Sequence, residues 1–373
     1  MKKTGTALLI LAAAIIFLVS TAPLPASDER VIQIALLLDT SNSMDGLIDQ
    51  AKSQLWKIVN ELARAKKGNR TPRLEVALYE YGKDSIPAAE GYIRMITPLT
   101  TDLDKISEKL FKLQTYGGNE YCGKVILAAT EGLRWSSDRR DLKLIFIAGN
   151  EPFTQGDVDY RSAVKKAIAR GITVNTIFCG NYHEGENTMW KDGALLADGR
   201  YMNIDQNEKV VAINAPQDRE IMLLGAELNK TYIPYGKRGT VKKECQEEQD
   251  KNAATVNSEV LVQRSVAKAS KQYVNSGWDL VDAVKDRKID PATIRDDELP
   301  AEMKDMSTQE RRDYVNRMIE RRAELQKKIN TLNNDRRRYV ETEMKKGCAK
   351  RTLDVVILKS VREQAVDQHY TFE

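Results

Sequence analysis

The stretch VIQIALLLDTSNSMDG, residues 31–46, decides how the rest of the chain is read. Its apolar run over 34–38 stops at Asp39, and Thr40, Ser41 and Ser43 follow at once. An apolar run of this length closed by turn residues predicts a strand buried on both faces, as inside a parallel sheet. Open α/β sheets bind ligands just outside the carboxyl ends of their strands. The stretch therefore sets one carboxylate and two or three hydroxyls where that architecture builds its site.

Outward from this stretch, strand and helix patterns alternate. Strands are expected at 31–38, 73–81, 91–96, 142–148, 172–179 and 200–204, and helices at 45–66, 101–113, 124–135, 157–170, 187–197 and 219–228. In the first helix Leu47, Ile48, Ala51, Leu55, Ile58, Val59 and Leu62 share one face at helical spacing. Thr101 or Asp102 can cap the second. Such alternation over about 200 residues predicts a doubly wound, mostly parallel sheet with helices on both faces and right-handed crossovers.

Past residue 235 the chain becomes charged and poor in glycine. Helical stretches are expected within 241–284, over 308–346 and near 354–366, with a proline-containing linker at 289–300. In the long stretch Val315, Met318, Leu325, Ile329, Leu332 and Tyr339 fit a and d positions, and Arg322 and Arg336 interrupt at a positions. Either a coiled coil or a helix packed on its own domain satisfies that pattern. The organisation is then 1–26 export signal or anchor, 30–235 sheet domain, and 236–373 helical region.

The chain has 373 residues, 30% of them charged, and 58 basic residues against 54 acidic ones leave a formal charge of +4. That balance argues against nucleic acid as a partner. Lys2 and Lys3 precede an apolar stretch over 7–19 and then small residues, the pattern of an export signal. The stretch is short for a spanning helix, which needs about 20 apolar residues, so an uncleaved anchor is the alternative and would be the chain's membrane contact. Export points to a periplasmic, extracellular or cell-surface location. The four cysteines, Cys122, Cys179, Cys245 and Cys348, could then form two disulfides in any of three pairings. No CxxC spacing occurs and there are two histidines, His183 and His369, which argues against a zinc site.

The element order and the segment Asp39-Thr40-Ser41-Asn42-Ser43 together resemble the von Willebrand factor type A domain, whose pattern at the end of the first strand is Asp-x-Ser-x-Ser. Gly117-Gly118 before a helix, a buried strand running into Glu151-Pro152, and Leu195, Ala197, Gly199 and Tyr201 are further family-like marks. The resemblance covers residues 31–235. It implies a metal-ion-dependent adhesion site in which Mg²⁺ or Mn²⁺ is held by oxygens from three loops and completed by an Asp or Glu carboxylate of a protein partner. Mg²⁺ suits such a site because it takes six oxygens at about 2.1 Å.

Asp39, Ser41 and Ser43 match the first loop. In the second, Gly118-Asn119-Glu120 stands where the family has Gly-Gly-Thr, so Asn119 or Glu120 would supply the oxygen. In the third, Gly149 stands where the family has Asp, and Asn150 or Glu151 would compensate. Asp39 and Ser43 could instead cap the following helix. Cys122 and Cys179 fall at the same end of the sheet, where a bridge would join them; Cys245 and Cys348 could staple the helical region, and free buried thiols are the alternative.

Three functions compete on these residues. One is a non-catalytic exported binding protein using the metal face. A second is a scaffold with a degenerate metal site that associates through its C-terminal helices, with a homo-oligomer as one form. The third, a phosphatase-like enzyme with Asp39 as nucleophile, is the weakest, since Ser41 stands where such enzymes carry a second Asp.

Overall fold

The computed structural model describes residues 30–68, 70–204, 213–346 and 353–372. The expected export segment and Cys348 lie outside the described residues. The sheet region runs β1 (Val31–Asp39), α1 (Asp45–Leu62), β2 (Ala65–Lys66), β3 (Arg73–Tyr81), β4 (Ile93–Thr100), α2 (Leu103–Phe111) and α3 (Cys122–Gly132). It continues through β5 (Leu142–Gly149), α4 (Tyr160–Ala169), β6 (Thr173–Cys179), α5 (Tyr182–Asn187), α6 (Trp190–Leu195), β7 (Tyr201–Ile204) and α7 (Asp218–Asn229). The helical region adds α8 (Gly239–Val256), α9 (Ser258–Lys268), α10 (Leu280–Lys285), α11 (Thr308–Lys346), α12 (Leu353–Asp367) and a final strand, β8 (Thr371–Phe372).

Six strands form one sheet in the order β4-β3-β1-β5-β6-β7. All neighbours are parallel except β3 and β4. The mostly parallel, doubly wound architecture read from the sequence is thus the observed one. β1 sits in the middle, and its residues alternate between two cores. Ile32, Ile34 and Leu38 meet the helices α1, α2, α7 and α9, whereas Ala35 and Leu37 meet α3, α4 and α6. A strand covered on both faces must be apolar throughout, and this explains the run that ends at Asp39.

Two local expectations change. The first helix stops at Leu62, because residues 65–66 pair with the chain's last strand, Ala65 opposite Phe372. The helix expected over 187–197 is shorter, Trp190–Leu195, and a separate short helix, Tyr182–Asn187, precedes it with Met189, at φ 70°, between them.

The helical region shares the sheet's core. Val260, Val262 and Val266 of α9, Leu325 and Ile329 of α11, and Val361 of α12 are buried in the same cluster as the α1 side chains. The heptad-like stripe of α11, from Val315 to Leu332, is the stripe it lays on its own chain, and Tyr339 beyond it is exposed. The two arginines that interrupt it are buried anchors. Arg322 is 1% exposed, and its Nη1 donates to Asp279 Oδ2 at 2.6 Å and to Asp282 Oδ1 at 2.8 Å. Its Nη2 donates to the Thr231 carbonyl at 2.6 Å, and its guanidinium stacks 3.9 Å from the Tyr232 ring centroid. Arg336 donates to Asp218 at 2.6 Å. Among the described residues no helix is long and apolar enough to cross a membrane.

A second buried network joins α2, α8 and α9. Arg264 meets Asp104 at 2.7 Å and Asp250 at 2.6 Å, and Lys268 also meets Asp250. Burial alone would raise the Asp250 carboxyl, but Lys268 and Arg264 outweigh it and hold it at about 2, against an ordinary 3.8.

Two outcomes follow. Arg322→Ala leaves Asp279 and Asp282 buried without their cation and should cost about 3–5 kcal/mol in urea unfolding; a loss below about 1 kcal/mol would show that this anchor does not hold α11. Asp250 binds fewer protons folded than unfolded, so its contribution is complete above pH 3.8 and is lost as pH falls through about 2. The acid limb of a stability–pH curve should therefore be shallower in Asp250→Asn than in the parent.

Candidate functional site

β1 delivers Asp39 to the carboxyl end of the sheet, and the side chain is 0% exposed. Its Oδ1 accepts the Ser41 backbone N–H at 2.7 Å, while its Oδ2 is buried with no close hydrogen-bond partner among the described residues, the Asn150 backbone N–H acting on the carboxylate only weakly. Thr40 turns away, its N–H and hydroxyl both donating to the Tyr81 carbonyl at 2.9 and 3.2 Å. It is a turn residue that ties β1 to β3. Ser41 is buried, and its hydroxyl lies 3.4 Å from that of exposed Ser43. The alternative use of these residues as helix caps is not observed. Neither the 3-10 turn at Asn42–Met44 nor α1 receives a side-chain cap, so the hydroxyls stay available.

The second loop brings Glu120 to this point. It is 5% exposed, Ser41 hydrogen-bonds its carboxylate, and its N–H donates to Gln155 Oε1 at 2.6 Å. Gly82, at φ 80°, backs both carboxylates: a Cβ there would lie 2.8 Å from Asp39 Oδ1 and 2.8 Å from Glu120 Cγ. Asn119 is exposed and makes no hydrogen bond to these groups among the described residues. Of the two second-loop candidates, Glu120 is the one the fold brings in.

From the third loop, Asn150 Nδ2 donates to Ser43 Oγ at 3.0 Å, and Asn150 Oδ1 is a second buried oxygen without a partner. Glu151 is half-buried. Its carbonyl accepts Trp190 Nε1 at 2.8 Å, and its charge is felt by both Asp39 and Glu120. Gly149 has a steric reason. A Cβ there would lie 2.5 Å from the Tyr81 hydroxyl, which donates to the Ala148 carbonyl at 2.9 Å, and 3.0 Å from Asp39 Oδ2. No acid fits at residue 149 while Tyr81 occupies that space. Tyr81, Gly82 and Gln155 were not singled out from the sequence, because nothing local shows that Tyr81 pairs in register with Asp39.

Burial and like charge raise both site carboxylates. Burial raises Asp39 to about 7, with the Ser41 bonds opposing and Glu151 adding. Burial, then Asp39, then Glu151 raise Glu120 to about 8. No Lys or Arg is among the strongest influences on either carboxylate. Among the described residues no cluster of three His, Cys, Asp or Glu side chains is disposed to hold an ion. The donors here are mixed instead: two buried carboxylates, two hydroxyls and an amide oxygen. Hard oxygens of this kind, two of them unpartnered, fit Mg²⁺ or Mn²⁺.

The proposed bridge between Cys122 and Cys179 is absent. Both are free buried thiols, and they belong to opposite cores, Cys122 under α3 and Cys179 on the α1 side of the sheet. β6 carries Cys179 on the face away from Cys122. Cys245 is also a free thiol, with a contact to Glu108 at 3.8 Å.

A family model for the von Willebrand factor type A domain matches residues 33–207. No curated protein matches the chain. Similar solved structures include BatB from Bacteroides thetaiotaomicron, at 17% identity over 47% of this chain and 90% of that one, with a TM-score of 0.36. The SpRpn10 VWA domain matches at 17% identity over 48% and 99%, with a TM-score of 0.35. Proximal thread matrix protein 1 from the mussel byssus, in a form with a zinc-occupied MIDAS motif, matches at 12% identity over 48% and 43%, with a TM-score of 0.35.

Asp39→Asn tests the charge balance directly. Asp39 binds protons more tightly folded than unfolded, so without metal its stabilising effect is complete below pH 3.8 and is lost as pH rises through about 7. In chelator at pH 8 the neutral isostere should be more stable than the parent by roughly 1–3 kcal/mol. A variant less stable than the parent would show that the carboxylate is compensated.

Proposed function

We propose that this chain, whose residues 33–207 match the family model of the von Willebrand factor type A domain, is an exported, non-catalytic protein that holds a protein partner through a divalent cation. The observation that carries the reading is Asp39, a wholly buried carboxylate with one oxygen unpartnered among the described residues, set among hydroxyls and a second buried carboxylate, Glu120. Asp39, Ser41, Ser43 and Glu120 would hold Mg²⁺ or Mn²⁺, with the Asn150 amide oxygen beside them. Asn119 and Glu151 stand further out as candidates. A cation there supplies a fixed positive point for an Asp or Glu carboxylate of the partner. The two carboxylates neutralise much of that charge, whereas the serine hydroxyls leave it intact. A site in which Glu120 replaces a neutral ligand therefore attracts its partner less strongly than one built on hydroxyls.

A binding role is supported over catalysis by the poor nucleophiles at hand. Burial pushes the Cys122 and Cys179 thiols well up, which keeps them protonated. His183 is exposed and paired with Glu186 at 2.8 Å. Export rests on Lys2, Lys3 and the apolar stretch after them. Gly149 favours a second reading, a scaffold whose site no longer takes a metal, since the third-loop acid is sterically excluded there.

Calorimetric titration with MnCl₂ separates these readings. Saturable binding to the parent that is lost in Asp39→Ala is expected, with Glu120→Gln weakened by about tenfold or more. A parent that takes up no Mn²⁺ or Mg²⁺ would leave the scaffold reading standing.

A further inference from the structure

A second charged surface begins one residue away from the candidate metal site. Gly82 backs Asp39 and Glu120, and the next residue, Lys83, helps to line a pocket of about 320 Å³ between the ends of β3, β4 and α2. Arg94, Lys109 and Lys112 complete its cationic wall, and Glu80 lies at its base.

Two of these cations are held in place. Glu80 is 0% exposed and faces Arg94 across the β3–β4 register. Its Oε1 accepts Arg94 Nε at 2.6 Å, and its Oε2 lies 3.9 Å from Lys83 Nζ. Lys83 Nζ also donates to the Gln114 carbonyl at 3.1 Å and lies 4.9 Å from the Tyr116 ring centroid. Groups already fixed lose little entropy when a ligand arrives. Lys112 pairs with Glu108 on its own helix, and Lys109 makes no ion pair among the described residues. Four cations thus stand against two carboxylates, Glu80 and Glu108, of which Glu80 is sealed beneath. Asp84, exposed at the rim beside Gly117, opposes them.

Tyr116 lies between the two regions. Its N–H donates to the Thr40 carbonyl at 2.8 Å, which fixes it to the first loop, and its side chain is 52% exposed. An exposed tyrosine supported from below by a buried lysine is the kind of anchor that concentrates binding energy in an interface.

The charge pattern is continuous: a face that calls for a cation, an aromatic step, then a pocket with excess positive charge. We propose that this pocket is a second recognition subsite, which takes an acidic side chain of the partner while another acid of the same segment faces the metal site. The occupant is an extended Asp- or Glu-containing peptide segment crossing Tyr116. This rests on the metal-site reading and adds a source of selectivity. A lone carboxylate satisfies one point, whereas two acids at the right spacing satisfy both.

The test uses the full chain and a fluorescein-labelled peptide of alternating Asp and Gly, with an Asn-Gly peptide of equal length as control, read by anisotropy in MnCl₂ and in chelator. The Asp-Gly peptide should bind in Mn²⁺ and the control should not. Lys109→Gln/Lys112→Gln, two changes on the outer face of α2, should weaken binding about fivefold and flatten its salt dependence, with Mn²⁺ uptake unchanged. Binding by this variant equal to the parent's, or no binding of the Asp-Gly peptide by the parent in either condition, overturns the proposal. Asp39→Ala separates the two readings: if it binds the peptide as the parent does while the lysine variant is weakened, the pocket stands and the metal-site reading falls.

Discussion

The carboxylate of Asp39 constrains everything around it. It ends the central strand, is shut off from water, and has one oxygen without a close hydrogen-bond partner among the described residues. A buried charge is tolerated only when it is compensated or neutralised. Its neighbours follow from that. Gly82 and Gly149 leave room where any side chain would collide with it, Ser41 offers an N–H and a hydroxyl, and Thr40 is turned away to hold β3. Glu120 then adds a second buried carboxylate instead of the counter-charge; burial raises both, with Glu151 adding to Asp39, and Asp39 and Glu151 adding to Glu120. Under the proposed reading, a cation from outside the chain would compensate that geometry, and the hydroxyls not used as helix caps would be free to hold it.

The opposite solution operates in the helical region. There the chain supplies its own cations to buried acids: Arg322 to Asp279 and Asp282, Arg336 to Asp218, and Arg264 and Lys268 to Asp104 and Asp250. Two of them, Arg264 to Asp104 and Arg336 to Asp218, tie α9 and α11 to the sheet domain across more than 100 residues, and the others join helices of the helical region to one another. Interior ion pairs add little net stability compared with apolar packing, but they penalise any other docking of the helix. The same molecule thus contains acids that are matched internally and, at the sheet's carboxyl end, two buried acids, Asp39 and Glu120, that make no ion pair among the described residues.

Much of the architecture was legible because period and composition are local. The apolar run before Asp39, the alternation in RLEVALYEY, and the helical spacing from Leu47 to Leu62 each name their element within a few residues. Asp39, Ser41 and Ser43 were legible for the same reason, being one short loop. The choice between Asn119 and Glu120 was not, since it depends on which of two adjacent side chains the turn before α3 buries. Nor was the separation of Cys122 from Cys179: both sit at one end of the sheet, and only strand register shows that they face different cores. The arginines of α11 looked like interruptions of a stripe because their acidic partners lie about 40 to more than 100 residues away.

The sequence by itself determined the class of fold, the order of its elements and the first loop of the candidate site, since these depend on side-chain period and on turn chemistry within a few residues. The tertiary structure decided what those groups meet. It set Tyr81 against Gly149 and so excluded an acid there, joined Glu120 to Asp39, placed a cationic pocket beside them, and laid the helical region into the sheet's core. Each of these is a contact between separate strands, loops or helices, fixed by register and packing, and none can be read from the side-chain pattern of any one element.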